Sequence, residues 1–356
     1  MNQNSNGDIS QALQERVTDA IKHNTALKII GGNSKAFYGR ETTGELLDVS
    51  GHSGILNYEP TELVATVRAG TRVSELEAAL TAQGQMLPFE PPHLGETATI
   101  GGTVATNLSG PRRPFAGAVR DHVLGVKIIN GKGEILHFGG EVMKNVAGYD
   151  LSRLMAGAMG TLGVLLEVSF KVIPTAEKEL TLYRNCSIET AITTMNDWAN
   201  RPYPISAGVF DGENLYIRFS GSANAVEAAR KKFGGDELAD GADFWQRIRE
   251  QQHAFFDGDA PLWRLSVAPA SNYIQLPGKT LIDWGGAQRW YKGEAEADSI
   301  RQAAMKCGGH ALMFRGGDRQ QVFQTLDPVV MRLHKNLKQA MDPNQIFNPG
   351  RMYAGL

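Results

Sequence analysis

The 356-residue sequence carries 36 Lys and Arg against 38 Asp and Glu, for a formal net charge of -2, with 42% hydrophobic and 21% charged residues. That balance offers no global attraction for a polyanion, so no nucleic-acid partner is expected, and the length exceeds what one hydrophobic core usually serves, so two lobes are. The start, MNQNSNGDIS, is polar, and no apolar run approaches the roughly 20 residues of a membrane-crossing helix, which points to a cytoplasmic chain without direct membrane insertion.

In chain order, apolar periodicity predicts a helix over 9–21, and Leu27, Ile29 and Ile30 form a short strand stopped by Gly31 and Gly32. VATVRAG (64–70) reads as a strand and TRVSELEAALTAQG as a helix, with Thr71 as N-cap, Val73, Leu76 and Leu80 on one face, and Gly84 just past the end. PHLGETATIGGTVATNLSGP (92–111) follows a proline-rich run and has four glycines, two alanines and four threonines; Thr97 or Thr99 could cap a thin helix over Gly101 to Ala105. Residues 121–140 hold two strand-like runs joined by Asn130-Gly131, a hairpin signal. RLMAGAMGTLGVLLEVSFKVIP (153–174) adds a glycine-punctuated segment, a strand and a proline.

The second lobe changes character. Helices over 188–200 and 224–234 alternate with the strands ENLYIRFSG, LWRLSVAP and HALMFRGG, an α+β pattern. The end, MDPNQIFNPGRMYAGL, carries Asp-Pro and Asn-Pro-Gly turns. There is no internal repeat and no low-complexity linker.

Three small-residue segments fall in the first lobe: Gly31 to Ser34, Gly101 to Gly110, and Gly157 to Gly163. Glycine lets successive N–H groups point one way as an anion nest, and a helix N-terminus adds positive partial charge. One such cluster reads as tight packing; three in one lobe suit a pyrophosphate, with the hydroxyls of Ser34, Thr99 and Thr103 adding hydrogen bonds without bulk. No G-x-G-x-x-G opens a βαβ unit, and PGKT (277–280) has Tyr273 where a P-loop needs its first glycine, so that segment is read as a turn. Cys186 and Cys307 lie too far apart in sequence to suggest a metal or redox motif, which excludes a cysteine-ligated iron–sulfur cluster held by this chain alone.

IIGGNSKAFYG, PPHLGETATIGGTVATNLSGP, RDHVLGVKIINGKGEI, KNVAGYDLSRLMAGAMGTLGVLLEVSFKVIP and the terminal DPNQIFNPGRMY together resemble, in order and spacing, the FAD-linked oxidases of the vanillyl-alcohol-oxidase type. The resemblance implies an α+β chain divided into a two-lobed PCMH-type FAD-binding domain (1–175), an α+β cap domain (176–335) and a C-terminal segment (336–356) that packs back on the FAD domain. It implies that Gly31, Gly32, Asn33, Ser34 and Lys35 hold the FAD diphosphate. Pro92, Glu96, Thr99, Gly101, Gly102, Thr103 and Ala105 would line diphosphate and flavin. Gly148, Tyr149, Asp150, Gly160, Gly163 and Val164 would return beside the cofactor, and Asn348 and Arg351 would close toward it.

Relatives that bind FAD covalently often have histidine where this chain has Asn33, so dissociable FAD is expected. Relatives that oxidise 2-hydroxy acids commonly carry an H-x-H pair and a Glu-His in the second lobe. Here His253, His310 and His334 stand alone, so no metal is expected. Arg218, Arg264 and Arg315 alternate with apolar neighbours on candidate strands and could take a substrate carboxylate, or form a solvated sheet face; no catalytic base can be named. The aromatic stretch IDWGGAQRWY (282–291) fits a flavin lid, a partner contact or core packing, and the charged run 227–240 a solvated face.

Because the chain has no cluster of its own, electrons reaching its flavin must leave to oxygen, a soluble acceptor or another polypeptide. The resemblance implies the last: an FAD-bearing subunit of a complex oxidising glycolate to glyoxylate, with a sister FAD subunit and an iron–sulfur subunit as partners, reaching the inner membrane only through them. A stand-alone hydroxy-acid dehydrogenase and a structural flavin-binding subunit remain as alternatives.

Overall fold

The computed structural model describes residues 7–140 and 150–356, which fall into two compact units. The first comprises residues up to Leu108, Ala118–Pro174 and Thr325–Leu356; the second comprises Ser109–Gly117 and Thr175–Gln324.

Helix α1 (Ser10–His23) buries Leu13, Val17 and Ala20 along one stripe and ends at Asn24, whose left-handed φ of 52° returns its N–H to the last turn. Strands β1 (Leu27–Ile30) and β2 (Glu45–Asp48) pair in parallel. Strands β3 (Ile55–Glu59) and β4 (Val64–Arg68) begin a five-stranded sheet, and helix α2 (Val73–Thr81) packs Val73, Leu76 and Leu80 into its core. Arg72, not Thr71, is the N-cap of α2. The Thr71 hydroxyl is taken up by Gly54, accepting from its N–H at 2.9 Å and donating to its carbonyl at 3.2 Å, so it is unavailable to the helix.

After β5 (Gln85–Met86) comes α3 (Ile100–Thr106), capped by Thr99, whose Oγ1 accepts from Gly102 N at 3.3 Å. Thr97 does not cap; its hydroxyl donates to the Gly32 carbonyl. The four-residue helix α4 (Arg113–Ala116) lies in the segment that belongs to the second unit, and α5 (Val119–His122) resumes the first. Strands β6 (Val123–Ile129) and β7 (Ile135–Gly139) form the expected hairpin, with a five-residue connection in which Gly133, at φ 76°, takes the left-handed position. Helix α6 (Leu151–Leu154), β8 (Val164–Lys171) and β9 (Ile173–Pro174) complete this stretch, β9 pairing with β5. The sheet order is β3-β4-β8-β6-β7, antiparallel throughout.

The second unit holds β10 (Lys178–Asn185), α7 (Ile188–Ala199), β11 (Ile205–Phe210), β12 (Asn214–Gly221), α8 (Ala223–Phe233), β13 (Asp236–Glu237), α9 (Gly241–Arg249), β14 (Leu262–Ser266), β15 (Lys279–Asp283), β16 (Gln288–Lys292), α10 (Ala297–Lys306) and β17 (His310–Arg315). Its strands form one antiparallel sheet in the order β13-β10-β12-β11-β15-β16-β14-β17. Period-two burial explains the strands: Leu215, Ile217 and Phe219 of β12 pack with Ala191, Ile192 and Met195 of α7 and with Val226, Ala229 and Phe233 of α8. Of the readings open for 282–291, the structure takes core packing, since Ile282, Asp283, Arg289 and Tyr291 are buried. Trp284 donates its indole N–H to Gly110 O at 3.0 Å and stacks under Arg113 at 4.2 Å, which ties Ser109–Gly117 to this unit.

The chain re-enters the first unit at Thr325 rather than 336, because α11 (Pro328–Met341), capped by Asp327, is a continuous helix of that unit. The segment after it reaches β1: Leu27 pairs in parallel with Phe347, and Ile346 and Phe347 share a core with Leu27, Val17 and Val164.

Candidate functional site

Where β1 ends, Gly31 and Gly32 run against the strap before α3. A Cβ on Gly31 would stand 2.6 Å from Thr99 Oγ1, and one on Gly32 would stand 1.4 Å from the Thr97 carbonyl, so only glycine fits either position. Asn33 follows at φ 59° and reverses the backbone. Among the described residues the amides of Gly32, Asn33 and Ser34 donate to no protein acceptor. Lys35 is buried, with Nζ 3.0 Å from His93 O and 3.4 Å from Ser34 Oγ, while Ser34 Oγ donates to the same His93 carbonyl at 2.9 Å.

These residues line a cleft of about 350 Å³. Further lining comes from α3 through Thr99, Gly102, Ala105 and Thr106, and from Met159, Asn348 and Arg351. Asn348 accepts Ile29 N through Oδ1 and donates to Met159 O through Nδ2, both at 2.8 Å. Arg351 is held by carbonyls, donating to Arg40 O at 2.9 Å and Ala36 O at 3.0 Å. A backbone reversal with three uncommitted N–H groups, an adjacent ammonium and a small-residue helix face can take a bound anion together with a flat group laid against the helix.

Of the residues singled out from sequence, Gly31, Gly32, Asn33, Ser34, Lys35, Thr99, Gly102, Ala105, Asn348 and Arg351 meet at this cleft. Others do not line it. Gly101 faces Ala69, whose Cβ is 2.9 Å from where a side chain would begin, so its smallness serves the approach of α3 to β4. Thr103 is fully buried, its hydroxyl without a hydrogen-bond partner among the described residues. Pro92 is buried, and Glu96 is exposed with its carbonyl accepting from Arg72 at 2.9 Å. Val164 lies in the core beside Leu166 and Ile129, Gly163 packs against the Ile129 carbonyl, and Gly160, at φ 70°, abuts the Asn348 amide. Asp150 caps α6 by accepting Arg153 N at 3.1 Å. Gly148 and Tyr149 lie outside the described residues.

Sequence reasoning missed Lys28, Glu41, Thr42, Thr43 and Met159, which also line the cleft. Thr42 donates to Pro349 O at 2.8 Å, a long-range contact no local pattern announces; Met159, at φ 53°, sits inside the glycine cluster 157–163 and was within reach of that signal.

The three arginines of the second unit do not converge. Arg218 is buried, not part of a solvated face: its Nε donates to Ser206 Oγ at 2.9 Å and its guanidinium lies 5.2 Å from the Trp245 ring. Arg264 lies over Phe314, and Arg315 donates to Gln251 Oε1 at 2.7 Å. In the sheet, β12 stands four positions from β14. Among the described residues no group of three His, Cys, Asp or Glu could hold a metal ion, and no helix is long and apolar enough to cross a membrane.

A family model described as an FAD binding domain matches residues 9–139, which contain most of the cleft. The chain is 53% identical, over 98% of its length and 99% of the relative's, to glycolate oxidase subunit GlcE of Escherichia coli. The chain belongs to this glycolate oxidase subunit family. Within the wider group it is 36% identical to glycolate oxidase subunit GlcD of Bacillus subtilis over 40% of this chain and 30% of that one. It is 27% identical to a D-lactate dehydrogenase of Archaeoglobus fulgidus over 81% and 77% of the two chains. In fold it is similar to a solved alkyldihydroxyacetonephosphate synthase, with a TM-score of 0.66 at 16% identity over 95% of this chain and 74% of that one. The chain is thus an FAD-binding oxidoreductase subunit of a multi-subunit enzyme.

Proposed function

We propose that the chain is the FAD-bearing subunit of a complex that oxidises glycolate to glyoxylate and hands the electrons to partner subunits. The observation that carries this reading is the 53% identity across both units to a glycolate oxidase subunit, since the FAD-binding half alone would fit many oxidases. The cleft supports the cofactor. The amides of Gly32, Asn33 and Ser34 would hold the diphosphate oxygens, Lys35 would add a positive charge beside them, and Thr99 fixes the N-terminal turn of α3. Gly102 and Ala105 would leave the helix flat for the ring system, and Asn348 would form part of the wall around it. With Asn33 at the loop position, the FAD is held without a covalent bond.

When bound, FAD supplies an acceptor for the two electrons released as the hydroxyl-bearing carbon of glycolate becomes a carbonyl, with two protons given up. A base for the hydroxyl proton and a cation for the carboxylate must stand near the reacting carbon. Arg218, Arg264 and Arg315 are separately engaged in the second unit, which favours a hydroxy-acid site on a sister FAD subunit, with an iron–sulfur subunit taking the electrons onward.

The test is the visible spectrum of the purified chain before and after anaerobic addition of glycolate, alone and with its co-expressed partners. A flavin spectrum that stays oxidised alone and bleaches in the complex is the expected result. Bleaching of the isolated chain would overturn the division of labour in favour of a stand-alone dehydrogenase. Absence of FAD binding would overturn the cofactor assignment.

A further inference from the structure

Lys338 and Asp342, one turn apart on α11 and just beyond it, form a buried pair at 2.7 Å, and both side chains are essentially sealed from solvent. Burying two charges is unfavourable unless the geometry is good and the remaining donors and acceptors are satisfied. Here they are. The Lys338 ammonium has three hydrogens and three acceptors: Asp342 Oδ2, Thr161 O at 2.8 Å and Phe347 O at 2.9 Å. The Asp342 carboxylate in turn accepts Ile346 N at 3.2 Å and Phe347 N at 2.9 Å.

The segments joined are those that build one wall of the cleft. Thr161 lies two residues from Met159, and Phe347 precedes Asn348; both Met159 and Asn348 line the cleft and are bonded to each other. The pair is also seated from outside. The β6–β7 connection places Gly131 so close that a Cβ there would stand 2.4 Å from Asp342 Cα, and Gly131 N donates to Met341 O at 2.8 Å.

We infer that Lys338 is a positioning residue for the flavin wall: its ammonium, seated by Asp342, clamps the 159–161 loop to the 347–348 segment and thereby holds Asn348 in the register that FAD binding requires. This rests on the reading of the cleft as the FAD site. An aliphatic side chain would fill the space of Lys338 but leave the carbonyls of Thr161 and Phe347 and the Asp342 carboxylate without their common donor. The two segments would then lose their cross-link, and Asn348 would have to be ordered at the moment of binding.

The test is FAD titration of the full apo chain at 25 °C, followed by flavin fluorescence, for wild type, Lys338→Met, Asn348→Ala and the double variant, with folding checked by circular dichroism. Lys338→Met is expected to weaken FAD binding at least tenfold while the chain remains folded, and the double variant to be no weaker than the worse single one. Combined with Lys35→Met, which removes the positive charge beside the glycine loop and has no part in the Lys338 clamp, the losses should multiply. Lys338→Met binding FAD as wild type does, or losses that multiply with Asn348→Ala, would overturn the inference and leave the pair as a fold staple. If Lys338→Met does not fold, Asp342→Asn, which keeps the acceptor for Ile346 N, takes its place with the same expectation and the same refutation. Wild type that binds no FAD would sink the cofactor reading itself, a distinct outcome from unchanged variants.

Discussion

Asn348 accepts the backbone N–H of Ile29 through Oδ1 at 2.8 Å, across 319 positions of sequence, and so fixes the C-terminal segment to the strand that leads into the glycine loop. The same side chain donates to Met159 O, and its own φ of 40° is a conformation that asparagine tolerates better than most residues. Asn348→Ala leaves two backbone groups without their partner, the buried Met159 carbonyl, at about 1–3 kcal/mol, and the half-buried Ile29 N–H, at less. The expected outcome is a lowered Tm together with weaker FAD binding. Asn348→Asp, which keeps the acceptor for Ile29 but turns Nδ2 into an oxygen facing the Met159 carbonyl, should recover little. Unchanged FAD affinity in Asn348→Ala would detach this residue from the site.

Gly101 and Gly102 are adjacent on α3, yet their substitutions should fail in different ways. A side chain at Gly101 collides with Ala69, in the fully buried contact between α3 and β4, at a cost of about 1–3 kcal/mol for an overpacked core. Gly102 faces the cleft, where its nearest neighbour for a new Cβ is Thr99 Oγ1 at 3.2 Å. Gly101→Ala is therefore expected to lower the thermal midpoint while the folded fraction still takes FAD. Gly102→Leu should leave the midpoint of the apo chain within a few degrees of wild type, yet abolish FAD uptake. Measuring apo Tm and flavin content for both variants checks this, and identical behaviour of the pair would contradict the geometry.

How far the fold could be read in advance follows from which contacts are local. Leu13, Val17 and Ala20, or Leu215, Ile217 and Phe219, declare helix and strand through spacing alone, and Thr99 declares a cap because its bond is to Gly102 three residues on. Thr71 has the same residue type in the same kind of place but bonds to Gly54 across 17 positions, which no local rule weighs. Asn130-Gly131 marks a hairpin, but Gly131 is glycine because Asp342 of a distant segment sits against it. The glycine loop at 31–34 was legible as small residues that stop a strand, although what keeps Gly31 and Gly32 small is the Thr97–Thr99 strap, 65 or more positions away. Lys338 was not, because a lysine in an amphipathic helix reads as solvent-facing until the carbonyls of Thr161 and Phe347 are seen around it.

Acidification should destabilise both units. Burial holds the His52 pKa below its ordinary 6.5, outweighing the opposite pull of Asp8, and burial does the same for His253. A depressed folded pKa means the unfolded chain binds more protons, so the stabilisation is present above about 6.5 and is lost as pH falls below it toward the folded values. Asp8, held down to about 2 chiefly by the Ser10 hydroxyl and amide with Arg68 assisting, extends the loss to lower pH, between its ordinary 3.8 and about 2. The urea midpoint is expected to be lower at pH 5.5 than at pH 7.5. His52→Asn, which can keep an acceptor for the Ile9 amide now bonded to Nδ1 at 3.2 Å, should reduce that difference without removing the part due to His253. A midpoint independent of pH over this range would contradict both assignments.

Arg289 offers a way to damage the second unit alone. It is almost completely buried, and among the described residues its guanidinium has no carboxylate partner in its hydrogen-bonding shell: Nη1 donates to Asn272 O at 2.6 Å, Nη2 to Ser271 O at 2.7 Å and Ser271 Oγ at 2.9 Å, and Nε to Gly286 O at 3.2 Å. Burial accordingly pulls its pKa down from the usual arginine range. Arg289→Met preserves much of the volume but strands three carbonyls of the 271–286 connection, at about 1–3 kcal/mol for each that water cannot reach. The cleft residues all belong to the first unit. The expected result is a chain whose second unit unfolds early, seen as a loss of Trp fluorescence structure from Trp263, Trp284 and Trp290, while FAD still binds with near wild-type affinity in the first. If FAD affinity falls in parallel with that unfolding, the first unit does not hold its cofactor independently.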